Sequence, residues 1–428
     1  MPELTVESLA TGGEGVGRFN GKTVFVPLTA PGDRVRFEVV QEKKRYLRGR
    51  MTERLDDGSG RRRPPCPVFG ECGGCDWQHL AYTEQAEWKQ RLVQDVLHRI
   101  GGVQAASELP ILPAVSEWGY RSRVQFKCHA TSEGMAIGFF RRGSHFVIDI
   151  VSCPIADERI NHLLVWLRPI LERFPVPETI PQVDVELGAD GQARMVVHQL
   201  ADAQTEAAEY LARYAAENDV ALFMQTGRKS TLQHLCGPVG LGIEVDDPPL
   251  RLLYDAGGFA QVNAGQNRLL VDEVVRLAAL VGTERVIDLY CGMGNLSLPL
   301  ARRSASLVGI EAYQPAIVAA EQNAKTNRVE NCRFLVGDAM SALPRLLDQP
   351  CDLLVLDPPR QGAKELNQAL AGGAHLPTRL LYVSCDPATL ARDVKGLTST
   401  GYHLSALRPI DMFPQTHHVE TIALLELE

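Results

Sequence analysis

The rhythm of apolar and polar positions changes along the chain. In residues 1–55 short stretches alternate apolar and polar side chains, KTVFVPL at 22–28 and DRVRFEVVQ at 33–41, parted by turns such as Ala30-Pro31-Gly32-Asp33. That alternation predicts a small all-β barrel. From Thr83 to Ile100 the period lengthens, with Trp88, Leu92, Val96 and Ile100 near helical spacing until Gly101-Gly102. One amphipathic helix is expected there. Residues 118–254 mix strand-like runs (RVQFKC, HFVIDIV, ARMVVHQL) with an Ala/Glu-rich helix near 202–217, an α+β texture. After about 255, near-continuous apolar strands alternate with helices: RVIDLY at 285–290, SLVGIE at 306–311, CRFLVGD at 332–338, DLLVLD at 352–357 and RLLYVSC at 379–385. A parallel sheet covered on both faces requires such strands. YHLSALRPI and VETIALLELE lack an intervening helix and predict an antiparallel hairpin at the end of that sheet. With Asp56-Asp57-Gly58-Ser59-Gly60 as a linker, the expected domains are 1–58, 59–254 and 255–428.

Composition fits this division. A length of 428 residues suits three domains, and 45% hydrophobic with 22% charged residues is ordinary for a globular chain. No apolar run reaches membrane-spanning length, and MPELTVESLA lacks the basic-then-apolar pattern of a signal peptide. Ten cysteines are too sparse for a disulfide scaffold. A cytoplasmic protein in a reducing compartment, without membrane contact, is the expectation. The net charge of -8 argues against a polyanionic partner, yet residues 40–65 hold nine Lys and Arg against four Asp and Glu, including Lys43-Lys44-Arg45 and Arg61-Arg62-Arg63. This local excess reads either as a nucleic-acid surface or as a solvated basic linker.

Candidate chemistry clusters at the predicted strand ends. Asp288-Leu289-Tyr290-Cys291-Gly292-Met293-Gly294-Asn295 joins the first strand to a helix, and Glu311 and Asp338 end the next two strands. Open α/β sheets bind ligands at that edge, where a carboxylate holds ribose hydroxyls. No third glycine follows to cradle a pyrophosphate, and Leu296 to Leu298 fill the stretch, so S-adenosylmethionine fits better than a nicotinamide dinucleotide. Cys385, in Ser384-Cys385-Asp386-Pro387, falls on the same edge as Asp357-Pro358-Pro359-Arg360 and is a candidate nucleophile. Glu420 enters the last strand as a candidate general base, with His417 and His418 as rivals. Phe259, Gln261 and Asn263 form a compact group before the first helix of this domain. Separately, Cys66, Cys72 and Cys75, with Cys153 as the remote fourth, make a ligand set that suits zinc or an iron-sulfur cluster. Cys128, Cys236, Cys291, Cys332 and Cys351 read as buried small hydrophobes.

The ordered motifs FAQVNAGQ, DLYCGMGNLSLPLA, LDPPRQGA, YVSCDPATLARD and HHVET, spread over residues 259–421, closely resemble the bacterial RNA uracil-C5 methyltransferases. ATGGEGVGRFNGKTVFVPLTAPGDRV likewise resembles a TRAM domain, the oligonucleotide-binding (OB-like) barrel of the family's iron-sulfur members. The resemblance implies three parts: a TRAM barrel, a central α+β domain with a 4Fe-4S cluster on Cys66, Cys72, Cys75 and Cys153, and a Rossmann-like class I methyltransferase domain. It implies that Cys385 attacks C6 of uracil and that Glu420 removes the C5 proton. By the same resemblance Gln261, Tyr290, Asn295, Glu311, Asp338 and Asp357 would line the S-adenosylmethionine pocket, contact with the uracil being the alternative for Asp357, and Phe259 would stack on the target base. Asp386 departs from the Asn of many members, with little change expected because both accept a hydrogen bond in that turn. Barrel and cluster together point to 23S ribosomal RNA and a monomeric enzyme. The alternatives are a transfer RNA uracil-C5 methyltransferase, an amino-methyltransferase using the Asp357-Pro358-Pro359-Arg360 loop, and a non-catalytic RNA-binding iron-sulfur protein.

Overall fold

The computed structural model describes residues 1–132, 134–200 and 205–428. Strands β1 (Glu3–Leu9), β2 (Gly15–Phe19), β3 (Lys22–Val26), β4 (Arg34–Glu42) and β5 (Tyr46–Asp56) close into a barrel in the order β1-β2-β3-β5-β4. Alternate positions turn Leu4, Val6, Val24, Val26, Val35, Phe37 and Leu47 inward, and closure leaves no open sheet edge. The basic segment divides in two. Arg61 is half-buried and pairs with the buried Asp33 at 2.5 Å, and Arg62 pairs with Glu117 at 2.7 Å. These two arginines therefore fasten the linker to its neighbours. Lys44, Arg45 and Arg63 are exposed and have no carboxylate partner among the described residues. Burial alone would raise the Asp33 pKa, but hydrogen bonds from Arg61, Ala30 N–H and Gly58 N–H hold it below the usual range.

Helix α1 (Tyr82–Val96) continues through a π-helical turn at Leu97–Gly101, and β6 (Ser107–Glu108) follows. The π turn shifts the helix phase, so Leu97 is buried while Ile100 is 46% exposed. Both elements lie inside the 59–254 stretch, yet in space they join the C-terminal domain: β6 pairs with its edge strand, and Val93, Val96 and Leu97 enter its core.

The middle region is one seven-stranded sheet. In chain order it comprises β7 (Arg123–Thr131), β8 (Gly134–Phe140), β9 (Val147–Asp149), β10 (Gln182–Leu187), β11 (Ala193–Gln199), β12 (Val220–Thr226) and β13 (Gln233–Cys236), with helices α2 (Glu158–Glu172) and α3 (Thr205–Glu217). The start of the helix expected near 202–217 lies outside the described residues; from Thr205 it is helical. Hairpin β14 (Gly240–Val245) and β15 (Leu250–Asp255) then packs in the same core as the next domain.

The C-terminal sheet runs β18-β17-β16-β19-β20-β22-β21-β6. After α4 (Ala264–Ala278) come β16 (Arg285–Leu289), α5 (Ser297–Ala301), β17 (Ser306–Glu311), α6 (Gln314–Thr326), β18 (Cys332–Val336), α7 (Ala339–Leu346), β19 (Leu353–Leu356), α8 (Leu366–Ala371), β20 (Arg379–Ser384) and α9 (Pro387–Thr398). Strands β16 to β20 are parallel, and the closing hairpin of β21 (Tyr402–Ile410) and β22 (Glu420–Leu427) is antiparallel, β22 inserting next to β20. Two cores, one on each face, explain the strands' unbroken apolar runs. No helix among the described residues is long and apolar enough to cross a membrane.

Candidate functional site

Parallel pairing brings the carboxyl ends of β16, β17, β19 and β20 to one edge, and the loops leaving them carry the polar residues. Tyr290 sits at the end of β16 with φ +63°, a left-handed conformation costly for a side chain with a Cβ, and Gly292 and Gly294 continue the tight path at φ +54° and +96°. Asp288 is buried beneath them and accepts a hydrogen bond from the Ser297 hydroxyl at 2.5 Å. Burial pushes its pKa up to about 7, against that hydrogen bond and with help from Asp357 and Glu311. Asp288 thus braces the loop from below.

Above this edge opens a cavity of about 760 Å³ whose walls include Phe259, Gln261, Tyr290, Glu311, Asp357, Cys385 and Glu420. Ser384 pairs with Thr421 across β20 and β22. One step outward, the same antiparallel register sets Cys385 opposite Glu420. Glu420 is 3% exposed; burial and the neighbouring Asp357 push its pKa well above the carboxylate range, while Arg360 opposes them. Burial likewise raises Asp357 to about 7. For Cys385, burial and then Glu420 raise the thiol to about 11, with Arg360 pulling the other way. The thiol at this edge is therefore protonated at neutral pH when nothing else is bound.

The loop from Asp357 is held at its far end. The Asp393 carboxylate accepts from Ala363 N–H at 2.8 Å and from the Tyr382 hydroxyl at 2.8 Å, and Arg392 donates to the Gln361 carbonyl at 2.8 Å. Asp386 caps α9, accepting from Ala388 N–H at 2.8 Å and Thr389 N–H at 2.9 Å, the acceptor role expected for it.

Phe259 is 69% exposed at the cavity mouth, its ring open to a stacking partner. Asn295 lines an adjoining pocket of about 50 Å³ with Gln261, Tyr290 and Asp357, and exchanges hydrogen bonds with Asn267 at 2.9 Å each way. Asp338 lines neither. Its exposed carboxylate caps α7 through Ser341 N–H at 2.9 Å and the Ser341 hydroxyl at 2.8 Å, and those bonds lower its pKa. His417 and His418 do not line the cavity either: His417 pairs with Asp76 at 2.7 Å, and burial lowers His418 to about 4. The structure adds Met293, Tyr313, Arg360 and Phe413 to the walls. Of these only Arg360, following the two prolines, carried a signal in sequence.

A second cavity, of about 240 Å³, lies in the middle region and is lined by Cys66, Cys72, Cys75 and Cys153 together with Val68, Phe69, Val124, Phe139, Ile150 and Ile155. Burial raises the Cys72 and Cys153 thiols and pushes Cys75 up to about 12. Among the described residues no group of three or more His, Cys, Asp or Glu side chains is placed to hold a metal ion, although the four cysteines line this one cavity. Of the other cysteines, Cys128, Cys291 and Cys351 are buried as expected, but Cys236 and Cys332 are half-buried.

Residues 81–428 match the family model described as tRNA (uracil-5-)-methyltransferase, and residues 3–52 match the TRAM domain. An uncharacterized RNA methyltransferase of Thermosynechococcus vestitus is 37% identical over 99% of this chain and 97% of its own. A 23S rRNA (uracil(1939)-C(5))-methyltransferase of Alkalilimnicola ehrlichii is 36% identical over 100% and 96%. Among solved structures, the Pyrococcus abyssi tRNA (uracil-54, C5)-methyltransferase in complex with S-adenosyl-L-homocysteine superposes with a TM-score of 0.76 at 24% identity, covering 99% of both chains. That superposition shows a shared fold from end to end.

Proposed function

The chain belongs to the tRNA (uracil-5-)-methyltransferase family, and from that premise we propose that it uses S-adenosylmethionine to form 5-methyluridine in 23S ribosomal RNA. The observation that carries this reading is that Cys385 and Glu420, each next to the paired Ser384 and Thr421 of β20 and β22, line one acidic cavity. Uracil C5 is a weak nucleophile until C6 is saturated, so a thiol and a base set across one ring supply what the reaction lacks.

In this reading the Cys385 thiolate bonds to C6, and the displaced electron pair is delocalised over C5, C4 and O4. C5 then takes the methyl group of S-adenosylmethionine, leaving S-adenosylhomocysteine. The Glu420 carboxylate accepts the C5 proton, C5=C6 re-forms, and the thiolate leaves. Among the residues lining the cavity, Asp255, Glu311, Asp357 and Glu420 face a single guanidinium, Arg360. Such a site favours a cationic sulfonium, whose charge in turn acts to lower the thiol's high pKa. Gln261, Tyr290, Asn295, Glu311 and Asp357 are the residues we assign to the cofactor, Asp357 also being placed to meet the uracil. Asp338, which the resemblance also assigns to the cofactor, lies outside both pockets and caps α7 instead. Phe259 would stack on the target base once it leaves its helix.

The cysteine cavity fits a 4Fe-4S cluster held by Cys66, Cys72, Cys75 and Cys153. Four thiolates would accept zinc as well, and it is the resemblance to the family's iron-sulfur members that favours the cluster. When bound, the cluster would tie the loop of the first three cysteines to Cys153.

Ribosomal RNA is favoured by full-length relatives named for it. The barrel and middle domain do not choose by themselves, since a tRNA enzyme shares the whole fold. Mapping 5-methyluridine in both RNAs of a deletion strain decides this. Loss of a single site from 23S ribosomal RNA, restored by the gene, is expected; loss confined to transfer RNA would move the substrate.

A further inference from the structure

The residues between β21 and β22 form the approach to Glu420, and they are gripped by a part of the molecule that the methyl-transfer reaction does not otherwise use. Backbone N–H groups of Asp76 and Trp77 both donate to the Gln415 carbonyl, at 3.0 and 2.9 Å. The Tyr120 hydroxyl donates to the Pro414 carbonyl at 2.9 Å. Arg62 and Gln85 both donate to the Gln415 side-chain oxygen at 2.9 Å. Gln415 itself is fully buried at φ +70°, a conformation that a residue with a Cβ holds only when its surroundings impose it. Asp76 adds a side-chain clamp: one oxygen meets His417 Nδ1 at 2.7 Å and the other meets Arg142, in the loop between β8 and β9, at 2.8 Å. The barrel closes the third side. A Cβ on Gly13 would come within 3.1 Å of His417, and the Trp77 indole donates to the Gly13 carbonyl at 3.0 Å.

Asp76 directly follows Cys75, and His417 stands three residues before Glu420. We propose that Asp76 and His417 are positioning residues: through them the cysteine-bearing loop sets where the Glu420 carboxylate stands over the reacting base. The inference rests on Glu420 being the base, and it gives the cysteine module a part in the reaction without placing it near the substrate. The clamp loads the second half of the reaction. Cys385 is fixed by β20 and α9, so adduct formation does not depend on the clamp, whereas proton removal by Glu420 does.

The test uses the full-length, cluster-loaded protein with a uridine-containing RNA fragment and S-adenosylmethionine. Asp76→Ala and His417→Ala should each lower turnover about 10- to 100-fold, the range expected when a reacting group shifts by up to about 1 Å. RNA affinity should stay within about twofold and iron content should match the parent. The covalent protein-RNA species should accumulate during turnover, because its formation is spared and its breakdown slowed. Asp76→Asn, which keeps an acceptor for His417, should recover part of the rate. Turnover unchanged in both alanine variants overturns the proposal, as does a loss that runs parallel with RNA affinity or iron content. The parent protein separates the two layers: absence of any trapped adduct there with 5-fluorouridine RNA removes the underlying reaction and the clamp with it, while a normal parent adduct with unaffected variants removes the clamp alone.

Discussion

In the proposed methyl-transfer cavity the candidate reactive groups stand at the ends of strands, and in the cysteine cavity the thiols hang from loops. Glu311 ends β17, Asp357 and Cys385 follow β19 and β20, and Glu420 begins β22, so the sheet brings all four to one edge, with the loop before β22 left to set the final position of Glu420. Cys66, Cys72, Cys75 and Cys153 lie outside every strand and helix, and apolar neighbours enclose them. Both cavities hold ionisable groups whose burial disfavours their charged forms, but that cost is met differently. In the first the protein itself carries it, because a buried acidic cavity is what the proposed reaction needs to receive a sulfonium and a base. In the second a bound group would offset it by taking the thiolates as ligands. One cavity should therefore weaken the fold as it stands, and the other should strengthen it once filled.

The largest consequence concerns the cysteines. Cys75→Ser should remove iron, sulfide and visible colour together and lower stability by about 4 kcal/mol or more, the scale on which loss of a structural metal is felt. Cys236→Ser should leave all three in place. Anaerobic purification with iron analysis and a melting curve checks this, and a colourless protein carrying zinc would equalise the two kinds of site. Next comes the thiol of Cys385. With its pKa near 11, alkylation by iodoacetamide at pH 8 should run about 10- to 20-fold slower than that of a free cysteine, the much smaller thiolate fraction being partly offset by the greater nucleophilicity of a more basic thiolate. Peptide mass spectrometry should show Glu420→Gln accelerating it, by removing a negative neighbour, and Arg360→Ala slowing it further.

The smallest effect is on stability against pH. Asp357 has a folded pKa near 7 against an ordinary 3.8, so between those values the folded protein binds more protons than the unfolded chain. Stability from this group is complete below about pH 4 and is lost as pH rises through 7. Asp357→Asn should accordingly raise the melting temperature by about 2 °C or more at pH 8 and leave it unchanged at pH 4. A destabilised variant at pH 8 would break the contrast between the cavities.

Strand ends were legible because an apolar run buried on both faces can end in an acid or a thiol only at the sheet edge. Glu311 and Cys385 were placed by that rule together with the motif resemblance. Tyr313, Met293 and Phe413 were not, since an aromatic or a methionine in a loop looks the same whether it faces a core or a ligand. Asp338 shows the converse: its place after a strand predicted a pocket residue, but the helix that follows takes its carboxylate as a cap. The basic run of 61–63 misled in part, because charge counted along a sequence does not distinguish Arg61, half-buried against Asp33, from Arg63, exposed beside it. Packing of α1 and β6 on the C-terminal sheet left no trace in the chain's periodicity either, since a helix records that it has an apolar face and not which domain covers it.

The central claim is that Cys385 and Glu420 act in sequence on one uracil. Incubating Glu420→Gln with RNA and S-adenosylmethionine and measuring protein-bound RNA after denaturation tests it directly. A stable covalent species should build up with Glu420→Gln and none should form with Cys385→Ala, whose turnover should be lost. Methylation at uracil C5 by Cys385→Ala would contradict the account.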